Sequence, residues 1–165
     1  MGQVLAAIGE ALIDFIPAEK GCAFYEVTSF RPAVGGAPAN VCGAYAKLGG
    51  KTRLMTQLGK DPFGDKILKE LGDFGIDTTY VARTEQANTA LAFVSLAKDG
   101  NRTFSFYRNP SADMLYTPEQ LEPACFEDLF ALHFCSVSLG DFPMKEAHRA
   151  AIAAARKQGA MISFG

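Results

Sequence analysis

The sequence is short of the residues and patterns that several kinds of chemistry require. Four cysteines, Cys22, Cys42, Cys125 and Cys135, form no CxxC pair, and with only two histidines, His133 and His148, no metal-ligand spacing arises. The thiols read as reduced, small apolar residues. Neither histidine has a triad partner near it, so both are assigned structural or solvated roles. Lys and Arg number 16 against 18 Asp and Glu, a net charge of −2, which leaves no basic footprint for nucleic acid and no polybasic patch for membranes. No apolar run reaches the length of a membrane span. The opening MGQVLAAIGEALIDF has neither a basic leading region nor a cleavage-like site, so the expected compartment is the cytoplasm. There is no GxxxxGK[ST] loop for a nucleotide, and the first apolar run is followed by GEALID rather than GxGxxG, which argues against a dinucleotide-binding domain. Internal repeats, low-complexity segments and long linkers are also missing.

What is present is an alternation of strands and helices. Residues 4–8, 53–58, 131–137 and 160–164 are short apolar runs of the kind that forms buried parallel strands. Residues 63–74 place Phe63, Ile67, Leu68 and Leu71 on one helical face, with Gly75 as the stop. A further helix is expected to be capped by Asp141, to carry Met144, Ala147, Ala151, Ala154 and Ala155 on a small-residue face, and to stop at Gly159. Residues 24–34, with Pro32 near their end, read as an edge strand, and residues 80–82 as a short strand. Residues 89–97 and 103–108 are two strands around a turn at Lys98-Asp99-Gly100-Asn101, and a short helical turn is expected from Thr117-Pro118. This order predicts an α/β fold with a mostly parallel central sheet and helices on both faces. Ligands of such folds gather at the C-terminal ends of the strands.

The densest stretch is residues 35–64, GGAPANVCGAYAKLGGKTRLMTQLGKDPFG. Pro38 suits the first helical position, and Val41, Ala44, Tyr45 and Leu48 then share one buried face. The cap falls on Ala37, which has no side-chain acceptor, so the first N–H groups are left for water or for a polar ligand. Gly35 and Gly36 serve a tight turn or the close approach of another molecule to the main chain. Asn40 adds an amide that both donates and accepts, as hydroxyl groups require. Asp61 caps a second helix that opens with Pro62.

Two charged residues stand out against apolar surroundings. Asp14, inside LIDFI, is costly to bury unless it is paired or bound; the alternative is a strand edge facing water. Phe104, Phe106 and Arg108 share a strand face, so the arginine either stacks at the surface or is a positioned donor above an apolar wall.

The succession of GGAPAN, a helix, an apolar strand and LGKDPFG resembles the N-terminal signature of the ribokinase-like (PfkB) family of sugar kinases. The segment after Arg108, Asn109-Pro110-Ser111-Ala112-Asp113-Met114, is similar to the fructokinase branch. The resemblance implies a three-layer α/β/α sandwich with a small β-sheet lid built near residues 12–34 and 88–108. It makes residues 1–165 the sugar-binding portion of a single kinase domain, about half of it. On this resemblance Asp14 binds sugar hydroxyls, a carboxylate accepting two at once. Gly35, Gly36, Asn40, Phe106 and Arg108 complete the sugar site. The implied cofactors are ATP and Mg²⁺ and the implied reaction is phosphorylation of fructose at O6. No catalytic residue or metal ligand is assigned within the chain, because the family's base, the Asp of a GAGD motif, is expected downstream of Gly165. Where the family would continue Asp-Pro-Asn after residues 161–164, this sequence has Gly165. The same chemistry on 2-keto-3-deoxygluconate, ribose or a nucleoside, and a non-catalytic sugar-binding module, are the alternatives. A homodimer through the lid is the macromolecular partnership that the resemblance suggests.

Overall fold

A computed structural model describes residues 3–97, 99 and 101–165. In chain order its elements are β1 (Val4–Ile8), β2 (Leu12–Pro17), β3 (Phe30–Gly35), α1 (Ala37–Lys47), β4 (Lys51–Gly59), α2 (Pro62–Asp73), β5 (Ile76–Asp77) and β6 (Val81–Thr84). They continue with β7 (Leu91–Leu96), β8 (Arg102–Tyr107), β9 (Leu129–Phe134), α3 (Met144–Lys157) and β10 (Met161–Phe164). Of the expected turn between β7 and β8, Lys98 and Gly100 lie outside the described residues.

The larger sheet runs β10-β9-β1-β4-β5, with β6 also pairing with β4, and every pairing in it is parallel. β1 lies at its centre, and successive β1 side chains point to opposite faces and into two different cores. Ala6 and Ile8 pack with Met144, Ala147, Ala151 and Ala155 of α3. Ala7 packs instead with Ala39 and Cys42 of α1, Leu54 and Leu58 of β4, and Ile67 and Leu71 of α2. The alanine face of α3 removes the bulk that would hold that helix off the sheet. Each fully buried Ile or Leu contributes roughly 1.5–3 kcal/mol. Among the described residues no helix is long and apolar enough to cross a membrane.

A second, four-stranded sheet has the order β3-β2-β7-β8. Its outer pairs, β2–β3 and β7–β8, are antiparallel. They are joined by one parallel pairing, Ile13↔Leu91, Asp14↔Ala92 and Phe15↔Phe93.

Three local expectations are corrected. Helix α1 begins at Ala37 with Gly36 as its N-cap, and it buries Pro38, Ala39 and Cys42 rather than the Val41/Leu48 face; Leu48 is 84% exposed. Small residues win that face because the helix runs close to β4, with Cys42 Sγ 3.6 Å from the Arg53 carbonyl oxygen. Helix α3 begins at Met144 behind Pro143, which already has helical angles, so the exposed Asp141 does not cap it. Strand β9 stops at Phe134, where its pairing with β1 ends at Ile8, and Ser136–Ser138 forms a 3₁₀ turn instead of more strand.

Candidate functional site

The site is assembled where β1 ends. Glu10, the second residue past that strand, is 2% exposed. Its Oε1 accepts the Ala37 N–H at 3.1 Å, its Oε2 accepts the Ser138 hydroxyl, and its own N–H donates to Ser138 Oγ at 3.2 Å. The turn between β3 and α1 is thereby fixed against the end of β1. Gly36 takes a φ of 103° there, and a Cβ on it would stand 2.5 Å from the Glu10 carbonyl oxygen, so glycine is required on both counts. The expectation of an open helix tip is corrected accordingly. Glu10 takes the Ala37 donor, Pro38 has none, and the Asn40 N–H donates to the Gly36 carbonyl at 2.9 Å, as in any first helical turn. Of the first helical donors only the Ala39 N–H has no partner among the described residues.

Asp14 lies in the middle of β2, between Ala33 of β3 and Ala92 of β7. It is half-buried, no hydrogen bond among the described residues reaches its carboxylate, and burial pushes that carboxyl above its usual range. Gly35 abuts it, since a Cβ at position 35 would lie 2.1 Å from Asp14 Oδ2. Asp14 and Asn40 line one cavity of about 690 Å³, with Val94, Leu96 and Phe104 as apolar wall and Lys20, Arg31 and Arg102 as cations. Asp14 is thus brought together with Gly35 and Asn40 from around the β3–α1 turn, while Gly36, beside them in that turn, packs against Glu10. A cavity of about 720 Å³ opens elsewhere, among residues of α1, β9 and β10, but Lys51 is its sole charged lining residue and it has no carboxylate. The chemistry resides with Asp14.

Phe106 and Arg108 are placed differently. Phe106 is paired with Ala92 and stacks on Phe104 at 5.8 Å, yet Phe104 is the one that lines the cavity. Arg108, just past β8, engages the 1%-exposed carboxylate of Asp113 through Nη2 and faces Ser111 Oγ through Nε at 3.4 Å. It is not among the cavity-lining residues. Sequence reasoning passed over Glu10, Lys20, Arg31 and Arg102, and it put Phe104 on the same apolar strand face as Phe106 without assigning it to the site. Glu10 had a signal, an acid directly behind an apolar strand; the cations had none, because only the strand register puts them beside Asp14.

With this geometry in place, comparison with known proteins is decisive. Residues 3–164 match the pfkB family carbohydrate kinases. The chain belongs to that family. Fructokinase-1 of Zea mays is 42% identical over 162 residues, which make up 98% of this chain and 50% of the relative. Fructokinase of Solanum tuberosum is 42% identical over 161 residues, again 98% of this chain and 50% of the relative. The crystal structure of fructokinase with bound ATP from Xylella fastidiosa is 38% identical with a TM-score of 0.89, covering 99% of this chain and 51% of that one. The chain therefore spans about half the length of the curated relatives it matches. Its architecture is the ribokinase-like α/β/α sandwich of this pfkB family, with α1 and α2 on one face of the parallel sheet, α3 on the other, and a small second sheet alongside.

Proposed function

We propose that these residues form the sugar-binding half of an ATP-dependent sugar kinase acting on fructose at O6. The observation that carries this reading is Asp14, a half-buried carboxylate with no partner among the described residues, sharing a cavity with Asn40 and pressed against a glycine. Such an acid is stable in a pocket when a ligand supplies donors, and a polyol supplies two adjacent ones. Asn40 matches further hydroxyls because its amide donates and accepts. Gly35 and Gly36 keep the main chain bare, so the ring can come close. The second sheet serves as the lid and, with Phe104 as apolar wall and Phe106 stacked behind it, keeps water from the acceptor hydroxyl during phosphoryl transfer. Arg108, held by Asp113 and Ser111 outside the cavity lining, has Nη1 without a partner among the described residues and offers it to the sugar only at the edge of the site.

ATP with Mg²⁺ supplies the γ-phosphoryl group in the complete protein. Among the described residues no group of three or more His, Cys, Asp and Glu is arranged to hold a metal ion, and the sequence has no glycine-rich phosphate loop. These residues do not fit a nucleotide or Mg²⁺ site. The exposed aromatics Tyr25 and Tyr107, 89% and 65% exposed, support a homodimer formed through the lid, which sedimentation of the native protein tests. The proposed compartment is the cytoplasm.

The test uses the full-length native protein. Asp14→Ala is expected to abolish fructose binding in calorimetry while ATP binding persists, and the wild type is expected to yield fructose 6-phosphate, identified by phosphorus NMR. Unchanged fructose affinity in the variant would reject the assignment of Asp14.

A further inference from the structure

Among the described residues the most deeply buried ion pair joins Arg108, whose side chain is 10% exposed, to Asp113, 1% exposed. A pair taken out of water returns little or no net stability, because desolvating two charges costs about as much as their attraction gives back. Two apolar side chains of similar volume would hold the fold there as well. Stability alone therefore does not account for the pair.

Its two members belong to different parts of the molecule. Arg108 follows β8 directly, and by the two-residue period of a strand it shares the face of Phe104 and Phe106, which is the face that carries Asp14. Phe106 stands in the Asp14 row through Ala92, so Arg108 lies roughly 7 Å along the strand from that row, on the side away from Phe104. Asp113 sits instead in a 3₁₀ turn, Ala112–Leu115, that is tied to the parallel sheet. The Ala112 carbonyl accepts Gln57 Nε2 of β4 at 2.7 Å, the Ala112 N–H donates to the Asn88 carbonyl at 2.8 Å, and the Asp113 carbonyl accepts the Tyr116 N–H at 3.2 Å. Ser111 stands between the two charges: its hydroxyl donates to Asp113 Oδ1 at 2.5 Å and its oxygen accepts Arg108 Nε–H at 3.4 Å. The Nε and Nη2 edge of the guanidinium is thus committed to the body of the fold, and Nη1 is left without a partner among the described residues. A planar fork gripped along one edge has its remaining N–H groups fixed in direction, which a single contact would not achieve.

We infer that Asp113 is a positioning residue for sugar binding: through Arg108 Nη2 and Ser111 it clamps the guanidinium to the β4 side of the molecule and turns Nη1 toward the edge of the Asp14 site. The inference deepens the proposed function and rests on its assignment of Asp14 and Arg108 to the sugar. Asp113 does not line the cavity, so its whole effect passes through Arg108.

A double-mutant cycle in the full-length native protein tests it, with steady-state KM for fructose and for ATP read on the wild type, Arg108→Gln, Asp113→Asn and Arg108→Gln/Asp113→Asn. Each single variant is expected to raise KM for fructose about tenfold or more, the scale of a lost charged hydrogen bond, with KM for ATP within about twofold of the wild type. The double variant is expected to match Arg108→Gln within about twofold, since Asp113 then has nothing left to position. A merely structural acid would add its own loss instead. A double variant whose rise in KM approaches the product of the two single rises therefore overturns the inference, and so does an unchanged KM for fructose in Asp113→Asn. That variant leaves a buried guanidinium without its counter-charge; if it does not fold, Ser111→Ala takes its place in the same cycle, with an expected rise of about threefold and the same two grounds for rejection. Failure of the proposed function shows separately, as unchanged fructose affinity in Asp14→Ala, which removes the site that Arg108 would serve and the inference with it.

Discussion

Gly35 and Asp14 meet across the β2–β3 hairpin so closely that a Cβ on the glycine would stand 2.1 Å from the acid's Oδ2. The carboxylate is therefore aimed by the absence of a side chain beside it. Gly35→Ala forces Asp14 to rotate while leaving the hairpin ladder intact. The expected outcome in the full-length protein is a rise in sugar KM of tenfold or more, with a thermal midpoint within a few degrees of the wild type. Steady-state kinetics and a melting curve check both halves, and an unchanged KM would show that the ligand does not depend on the direction of Asp14.

Asp14 also weakens the fold that carries it. Burial raises its carboxyl above the ordinary 3.8, so the folded protein binds that proton more tightly than the unfolded chain does. Stability from this group is greatest below 3.8 and declines as the pH rises through the raised value, after which the buried charge is a standing cost. Asp14→Asn is expected to raise Tm at pH 7 and to raise it less at pH 4.5, while sugar binding is lost. Calorimetric melts at the two pH values decide it; a lower Tm at pH 7 would mean that the ionised group has a stabilising partner.

Glu10 has the opposite balance. Its two oxygens hold the Ala37 N–H and the Ser138 hydroxyl, so Glu10→Ala strands one buried and one part-buried donor. A loss of about 1–3 kcal/mol in urea unfolding is expected, with a smaller loss for Glu10→Gln, which keeps one carbonyl acceptor. Equal stability of all three proteins would count against this bracket.

His148 sets an acid limit. It is 1% exposed, its Nδ1 donates to the Met144 carbonyl at 2.7 Å, and its Nε2 has no partner among the described residues. Burial pushes its pKa below the ordinary 6.5. Stability from keeping this ring neutral is present above 6.5 and is lost as the pH falls from there toward the depressed value. Burial lowers the pKa of His133 too, so it acts in the same direction. Urea midpoints are expected to drop between pH 7 and pH 5 in the wild type and to drop less in His148→Leu; parallel profiles would exclude His148 as the source.

Much of this was legible before any coordinates, and for identifiable reasons. The run behind β1 is apolar throughout and buried on both faces, and β4 is largely buried despite its Thr and Gln residues, whereas β10 was legible from its apolar composition although Met161 and Phe164 stay exposed. Asp14, Gly35, Gly36 and Asn40 were found because each breaks its surroundings: an acid among aliphatics, paired glycines, an amide in a first helical turn. The buried face of α1 was misread because contact with β4 selected alanine and cysteine over the larger Val41 and Leu48, a choice made by tertiary packing that hydrophobicity alone does not report. Arg31 and Arg102 carried no local signal at all. Their meaning lies in a register linking β3, β2, β7 and β8, strands that the chain separates by the whole of α1 through β6.

That register has one more consequence. Among the described residues the two hairpins of the small sheet share one parallel ladder, Ile13↔Leu91, Asp14↔Ala92 and Phe15↔Phe93, and Asp14 is its middle pair. Because that pair joins both hairpins, the acid proposed to hold the sugar can move only as the whole small sheet moves.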